Sequence, residues 1–265
     1  MHQSTEKLKP TARMPVLFIG HGSPMNAIEN NSFSKKWIQL GKELPRPQAI
    51  LSISAHWLTS GTFVTAMEKP RTIHDFGGFP PELYSQQYSS PGSPEMAESV
   101  VQLHPERQIK KDLDWGLDHG TWSVLKPMFP LADIPVFQLS IDYSKPPQYH
   151  FEMAKQLIKL REKGVLVMGS GNMVHNLRML QFDEKIPDWA LGFDDNIATF
   201  LVAGDDQSVV NFLQMGSIAK MAHPSYDHFL PLIYALGFKS AGEHPEFFNT
   251  GFQMGSISMR SAIWR

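Results

Sequence analysis

The chain has 265 residues, of which none is cysteine and eleven are histidine, and its formal net charge is −2. Without cysteine there can be no disulfide, thiolate zinc site, iron–sulfur cluster or thiol nucleophile, so a bound metal would need imidazole, carboxylate or backbone oxygen ligands. The small net charge gives no general electrostatic reason to expect binding to nucleic acid or to an anionic membrane. No apolar run is long enough to cross a bilayer, and the charged residues 1–13 do not resemble a signal peptide, so we expect a cytoplasmic protein.

Short β-rich segments alternate with helical patterns along the chain. Residues 1–13 are predicted to form a flexible polar tail, and residues 14–265, which contain no repeat or linker, to form a single domain. The predicted strands cover, in chain order, residues 15–19, 49–53, 62–66, 134–141, 165–168 and 251–263. The predicted helices cover residues 33–44, 93–103, 122–129, 147–163, 189–202, 206–213 and 226–236. This alternation predicts an α/β fold with a mostly parallel central sheet and helices on both of its faces.

Capping residues mark the ends of some of these helices. Ser32 is expected to cap the start of the first predicted helix, with Trp37, Ile38 and Leu40 near its buried face. Gly164 is expected to end the fourth predicted helix, because glycine readily adopts the left-handed conformation found after helix ends.

Three histidines closely follow predicted strands. His21 lies two residues beyond the first strand, His56 lies three residues beyond the second, and His175 lies in the loop after residues 165–168. The carboxyl ends of parallel strands share one edge of a sheet, where ligands bind, so these imidazoles are expected to converge there. A lone histidine beside a strand is more often a hydrogen-bonded, partly buried side chain than a ligand. Its repetition at corresponding positions favours a metal site.

Two further histidines lie near predicted helix starts. His119 is in an Asp-His-Gly turn that could aim a polar side chain into a site, although Asp118 or Thr121 acting only as the helix cap explains the turn better when it is considered alone. His228 is expected in the first turn of the last predicted helix, which Gly237 should end. Without other information, His228 would pass as a surface residue.

The loop at residues 74–80 is rich in glycine, proline and aromatic residues. Loops of this kind often line substrate sites, although packing would explain the composition equally well. His74 and Asp75 are its candidate substrate-binding residues.

Several motifs occur in the order expected of a known family. They are Gly20-His21-Gly22-Ser23-Pro24-Met25-Asn26, Ser54-Ala55-His56-Trp57, His74-Asp75-Phe76-Gly77-Gly78-Phe79-Pro80, Asp118-His119-Gly120, Ser170-Gly171-Asn172-Met173-Val174-His175-Asn176-Leu177, His228-Phe229-Leu230-Pro231-Leu232 and Met254-Gly255-Ser256-Ile257-Ser258-Met259. Together they resemble the bacterial 4,5-DOPA extradiol dioxygenases, within the class III extradiol ring-cleaving superfamily. The resemblance runs from about Met14 to the C-terminus, and it is the combination of motifs that is specific.

The resemblance implies a metal site formed by His21, His56 and His228. It implies that His175 lies nearby, as an acid/base or as a fourth metal ligand, and that His119 lies close to the substrate oxygens. The implied reaction is the extradiol cleavage of a catechol such as L-DOPA by O₂, with Fe(II) in the metal site. A monomer and a small homo-oligomer are both compatible with the sequence.

The implied ligand set departs from the usual non-haem iron site, which has two histidines and one carboxylate. No glutamate stands in the motif around His228, and the adjacent Asp227 is expected to point elsewhere. Neutral imidazoles suit Zn(II) as readily as Fe(II), and zinc is not redox active. A zinc-dependent hydrolase on the same scaffold is therefore one alternative, and a non-catalytic binding protein of the same fold is another.

Overall fold

The computed structural model of the chain describes residues 12–103, 106, 108–183 and 185–265. Most of the tail predicted at residues 1–13 lies outside these described residues. Arg13, which lies inside them, donates a hydrogen bond to the hydroxyl of Ser240 at 2.9 Å. Within the described ranges, no helix combines the length and the apolar character that crossing a bilayer requires.

Strands and helices alternate over most of the described chain. The strands are β1 (Val16–Gly20), β2 (Ala49–Ser54), β3 (Leu58–Thr59), β4 (Phe63–Thr65), β5 (Lys110–Asp112), β6 (Val136–Gln138), β7 (Ile141–Asp142), β8 (Val165–Gly171), β9 (Glu246–Phe248), β10 (Phe252–Gln253), β11 (Ile257–Ser258) and β12 (Ser261–Trp264). The α-helices are α1 (Ser32–Glu43), α2 (Pro81–Tyr84), α3 (Pro94–Leu103), α4 (His119–Met128), α5 (Pro147–Gln156), α6 (Asp188–Ala203), α7 (Asp206–Val210), α8 (Ser217–Ala222) and α9 (Leu230–Phe238). Short 3₁₀ turns lie at Pro24–Ala27, Ile158–Lys163, Leu177–Met179 and Phe212–Met215.

The central sheet has the strand order β6-β2-β8-β1-β12-β9. Strands β6, β2, β8 and β1 are parallel to one another, whereas β12 runs antiparallel to both β1 and β9. Every residue of β1, β2 and β8 is buried, as expected for parallel strands that are covered on both faces. The mostly parallel sheet predicted from the sequence is therefore confirmed.

Alternate positions of the strands supply two separate apolar layers. On β1, Leu17 packs in the layer formed with α1 and α4, whereas Phe18 packs in the layer formed with α5, α6 and α9. Successive side chains of a strand point to opposite faces, so both faces are apolar and both need helices. This confirms the predicted α/β fold with helices on both faces, and it leaves the carboxyl edge of β1, β2 and β8 free to carry a site.

Three predicted strands differ from the structure. The segment at 62–66 forms only β4, which pairs with β5 outside the central sheet. The segment at 134–141 is divided into β6 in the central sheet and β7, which pairs with β3 outside it. The segment at 251–263 is divided into the β10–β11 pair and β12, and the predictions did not include β9 at the sheet edge.

The first predicted helix is present, but its cap and one buried position are corrected. Asn31, not Ser32, is the N-cap, because its side chain accepts hydrogen bonds from the backbone N–H groups of Phe33 and Ser34. Trp37 and Leu40 are buried as predicted. Ile38 is 38% exposed, because it lies beside the buried face and not within it.

Two later helices begin or end at other residues than predicted. The helix predicted at 147–163 is α5 followed by a 3₁₀ turn, which ends as predicted at Gly164 in the left-handed conformation. α9 begins at Leu230, so His228 lies before this helix, not in its first turn. Gly237 does not end α9. It lies inside the helix, at a position where a Cβ atom would collide with the backbone carbonyl of Phe151 in α5.

Candidate active site

His21 and His56 leave the carboxyl ends of β1 and β2 side by side. Their Nε2 atoms are 3.2 Å apart, and the exposed fraction of His21 is only 2%. Both ends are held by β8, since the backbone N–H groups of His21 and Ala55 donate to the carbonyls of Gly171 and Ser170. The predicted convergence at this sheet edge is therefore present for these two histidines.

His228 supplies the third imidazole from the segment before α9. Its carbonyl accepts a hydrogen bond from the backbone N–H of Asn172 at 2.9 Å, which ties this segment to the end of β8. Gly171 makes the approach possible, because a Cβ atom there would collide with the His228 carbonyl. One ring nitrogen from each of His21, His56 and His228 lies within 4.8 Å of the others, so the three could hold a metal ion.

A hydrogen-bond chain determines the tautomer of His21. The hydroxyl of Ser170 donates to the carbonyl of Gly120 at 2.5 Å, so its oxygen must accept from Nδ1–H of His21, 3.0 Å away. In a neutral imidazole with a proton on Nδ1, Nε2 carries a free lone pair. Nε2 of His21 is therefore available as a metal ligand.

Carboxylates face the same atom of the other two imidazoles. Nδ1 of His228 lies 3.0 Å from Oδ2 of Asp227, and Nδ1 of His56 lies 3.4 Å from Oδ2 of Asp75. An acceptor on Nδ1 keeps the proton there and directs Nε2 towards a metal. Asp227 is not part of the group of three imidazoles, in line with the expectation that it points elsewhere, but it precedes α9 and does not lie on a helix, and its carboxylate contacts Nδ1 of His228.

Asp75 also holds His119. Its Oδ1 accepts a hydrogen bond from the backbone N–H of His119 at 2.9 Å, and its Oδ2 lies 3.0 Å from Nδ1 of the same residue. Asp118 is the N-cap of α4, accepting from the backbone N–H of Thr121, so Asp118 and not Thr121 caps this helix. The ring centroids of His56 and His119 are 3.9 Å apart. One carboxylate therefore orients two imidazoles.

His175 lies against His228, outside the group of three. The two rings stack with their centroids 3.5 Å apart and an angle of 4° between their planes. The backbone N–H of His175 donates to the carbonyl of Ala222 at 3.0 Å, which fixes the loop after β8. Neither ring nitrogen of His175 is hydrogen-bonded to another of the described residues, so both are available to a ligand.

Burial determines the protonation of these histidines. The pKa of His56 is lowered to about 3 and that of His175 to about 4. Removal from water is the largest cause, and neighbouring His119 adds to it, whereas the nearby carboxylates act in the opposite sense. Burial also lowers the pKa values of His21 and His228 well below the usual value, and the surrounding histidines add to the effect. All four imidazoles are thus neutral at pH 7, which is the form that binds metal.

Burial acts in the opposite sense on Asp75. It tends to raise the pKa of the carboxyl, but the hydrogen bonds and charge of His119, together with the charge of His56, outweigh it and lower the pKa overall. Asp75 is therefore ionised at neutral pH.

A cavity of about 450 Å³ opens above these side chains. Its wall includes His21, His56, Asp75, His119, His175 and His228. His74 is not part of the wall. Its Nε2 lies 2.9 Å from the carbonyl of Gln86, and its ring packs beside Phe76 and Trp122. The structure thus brings together Asp75 and five of the six proposed histidines. The sixth, His74, packs against neighbouring aromatic rings outside the cavity wall.

Comparison with known proteins identifies the family. A family model described as the catalytic LigB subunit of aromatic ring-opening dioxygenase matches residues 15–262. The chain belongs to this family. The 4,5-DOPA dioxygenase extradiol of Escherichia coli (strain K12) is 46% identical over 257 residues, which cover 95% of this chain and 94% of that protein. The protein of the same name from Beta vulgaris is 36% identical over 251 residues, covering 92% of this chain and 94% of that protein.

A solved structure supports the same assignment. The crystal structure of an uncharacterized protein from Escherichia coli K12 aligns with a TM-score of 0.82 at 41% identity, and the alignment covers 95% of this chain and 99% of that one. The resemblance to extradiol ring-cleaving dioxygenases that the motifs predicted is thus confirmed, as is the predicted enzyme class.

Two parts of this ring-opening dioxygenase site were not predicted from the sequence. Ser170 and Asp227 place an oxygen atom beside Nδ1 of an imidazole, and nothing in the sequence pattern predicts these two contacts. The apolar part of the cavity wall adds residues from the segments around Leu180 and Met254 to Phe76 and Phe79, which come from the loop already considered for a substrate site. A hydrophobic residue next to a catalytic motif was the available signal for these positions.

Proposed function

We propose that the chain cleaves a catechol, such as L-DOPA, by the extradiol route with O₂ at a metal held by His21, His56 and His228. The observation that carries this proposal is the convergence of three imidazoles below a cavity of about 450 Å³, in a chain of the ring-opening dioxygenase family. A cavity of this size is in the range that holds small organic ligands. For L-DOPA, the position of cleavage would be the 4,5-bond.

The overall reaction adds both atoms of O₂ to the ring. The carbon–carbon bond between one hydroxyl-bearing carbon and its neighbour outside the diol breaks. One oxygen atom enters the new carboxyl group and the other the new aldehyde, and the catechol supplies the electrons that reduce O₂. No additional reductant is needed.

The donor set fits a divalent metal. The Nε2 lone pairs of His21 and His56 face each other across 3.2 Å, an arrangement that a cation between them would stabilise. A bound Fe(II), held by His21, His56 and His228, would supply the redox chemistry that O₂ requires. Three neutral imidazoles fit Zn(II) equally well, which supports a zinc-dependent hydrolase as the second candidate function.

His175 is the proposed acid/base. It lines the cavity, its ring nitrogens are not used by other described residues, and stacking on His228 keeps it beside the proposed metal site. Imidazole can accept the proton of a catechol hydroxyl and return it to the product. The alternative role as a fourth ligand would require the ring to leave this stack.

His119 and Asp75 position the substrate oxygens. With Nδ1 of His119 against Asp75, Nε2 of His119 is the free nitrogen that can accept a hydrogen bond from a substrate hydroxyl. Asp75 acts through His56 and His119, so we assign it a positioning role.

The compartment and the assembly of the enzyme also remain predictions. We propose a cytoplasmic enzyme that is a monomer or a small homo-oligomer, in a domain formed by residues 14–265.

The proposal is tested by reconstituting metal-free protein with Fe(II) in the absence of O₂ and then adding O₂ and a catechol. We expect consumption of one O₂ per catechol, and no consumption by protein reconstituted with Zn(II). Ester or amide hydrolysis by the Zn(II) protein without O₂ consumption by the Fe(II) protein would favour the second candidate.

A further inference from the structure

The upper part of the cavity wall has a different chemistry from its base. Six hydrophobic side chains form it, and we call this group the apolar rim: Phe76, Phe79, Leu177, Leu180, Met254 and Ile257. Leu177 is 58% exposed, whereas His21 and His228 at the base are 2% and 5% exposed. The apolar rim therefore includes the outer end of the cavity, and the imidazoles occupy the inner end.

The described part of the cavity wall contains no lysine or arginine. Arg178 lies in the chain between two residues of the apolar rim, but it is exposed and does not line the cavity. The one carboxylate in the wall, Asp75, contacts His56 and His119, so no described lysine or arginine of the wall could pair with a negatively charged substituent.

The position of the imidazoles determines which end of a catechol meets the apolar rim. The two ring hydroxyls are the polar groups that the metal site and His119 can bind, so they must enter first. The opposite side of the ring, with its substituent, then faces the apolar rim. Where a charged substituent lies against these side chains, it would lose part of its hydration without gaining a described lysine or arginine as a partner, which is unfavourable.

Resting on the proposed function, we propose that the preferred substrates are catechols whose ring substituent is uncharged and apolar. A short alkyl group would bury its surface against the apolar rim. The ammonium and carboxylate of L-DOPA would both be unpaired at the same place, so L-DOPA is accepted but binds more weakly.

The test compares four catechols on the Fe(II) enzyme: 4-ethylcatechol, dopamine, 3,4-dihydroxyphenylacetate and L-DOPA. We expect kcat/KM for 4-ethylcatechol to exceed that for each charged compound by at least about tenfold, mainly through KM, because substituent desolvation acts on binding. Dissociation constants measured without O₂ should follow the same order. Equal or tighter binding of L-DOPA or dopamine would overturn the proposal.

Substitutions in the apolar rim separate charge from shape. Leu180→Lys should lower KM for 3,4-dihydroxyphenylacetate at least several-fold, whereas the matched control Leu180→Met should leave the substrate order unchanged. Leu177→Lys, at the more exposed position, gives the same test if the first variant does not fold. Arg178→Gln should leave KM for L-DOPA unchanged, and an increase of several-fold would show that this arginine binds the carboxylate and would overturn the proposal.

The two proposals fail in different ways. If catechols bind in the expected order without O₂ but none is cleaved, the proposed function is wrong and the inferred ligand preference stands. If catechols are cleaved and L-DOPA is preferred, the proposed function stands and the preference is wrong. If no catechol binds at all, both are wrong.

Discussion

The base and the rim of the cavity are built on opposite physical principles. At the base, His21 and His228 are buried and His56 is partly buried, and each of the three imidazoles has an oxygen atom beside its Nδ1, from Ser170, Asp75 or Asp227. At the rim, the side chains are apolar, and all but the buried Ile257 are partly or fully exposed. The difference indicates that the base determines which reaction occurs, because these oxygen atoms fix the direction in which each imidazole presents its Nε2 atom. It also indicates that the rim determines which substrate is bound.

The largest effect is expected from removing an imidazole of the base. His56→Ala should abolish catechol-dependent O₂ consumption, because two imidazoles remain and the third metal ligand is lost. The amount of Fe(II) bound per chain should fall with the activity, and equilibrium dialysis measures it. His244→Ala, at an exposed position outside the cavity, is the matched control. Full metal binding by His56→Ala would show that His56 is not a ligand.

The next largest effect is expected at His175. His175→Ala should lower kcat by about 10²–10⁴-fold, the usual contribution of a positioned acid/base, while the bound Fe(II) stays near one per chain. Measuring kcat and metal content on the same preparation distinguishes the two roles proposed for this residue. Loss of metal together with activity would instead favour His175 as a fourth ligand, and unchanged turnover of every catechol would contradict both roles.

A third prediction concerns a histidine that is buried but belongs to neither region. His223 contacts the carbonyl of Met173 through Nε2, and burial lowers its pKa to about 4. Between that value and 6.5, the unfolded chain binds a proton that the folded chain does not, so stability falls as the pH falls through this interval. One such group accounts for about 2 kcal/mol between pH 7.5 and pH 5.

Urea unfolding of the metal-free protein at the two pH values measures this effect. His223→Gln keeps a donor for the Met173 carbonyl but cannot titrate. Between pH 7.5 and pH 5, its free energy of unfolding should therefore fall by about 2 kcal/mol less than that of the parent chain. His244→Gln should leave the pH dependence as it is. The same slope in His223→Gln as in the parent chain would mean that His223 is not the titrating group.

The carboxylates beside the base should have intermediate effects. Asp75→Asn and Asp227→Asn each replace an acceptor of an imidazole N–H, so each should weaken metal binding by about 10–100-fold. Asp75→Asn should also raise KM, because His119 loses its orientation, whereas Asp227→Asn should not. Competition with a chelator gives the affinities. If either variant binds metal like the parent chain, that carboxylate does not orient its imidazole.

The smallest effect is expected at the rim. Leu177→Ala should raise KM for 4-ethylcatechol a few-fold and leave kcat and metal content unchanged, because it removes apolar contact from a site that is 58% exposed. Its unfolding free energy should stay within about 0.5 kcal/mol of the parent chain, as is usual at exposed positions. A large fall in kcat would contradict the division of roles between rim and base.

The sequence predicts the positions of some histidines of the base better than those of others. His21 and His56 follow continuous apolar strands, and the shared edge of parallel strands brings them together. His228 was reached only through the family resemblance, because its position depends on how the segment before α9 packs on the end of β8. The contacts of Asp75 and Asp227 could not be predicted, since helix and strand periodicity says nothing about which side chains meet across a sheet edge.

The fold shows the same limit. The buried parallel strands were predicted because their apolar runs are continuous. The short strands β3, β5 and β9 are defined mainly by the partners they pair with, and local propensity is weak for such segments. Ser32 and Asn31 are both good helix caps, so only the observed hydrogen bonds could decide between them.

The most direct test of the account is to follow the oxygen atoms in the Fe(II) enzyme supplied with a catechol and ¹⁸O₂. The account predicts a ring-opened product heavier than the substrate by the mass of one O₂ molecule, with label in the new carboxyl group, and no such product from the His56→Ala variant. A product that contains oxygen only from water, or a catechol ring that stays intact while O₂ is consumed, would contradict it.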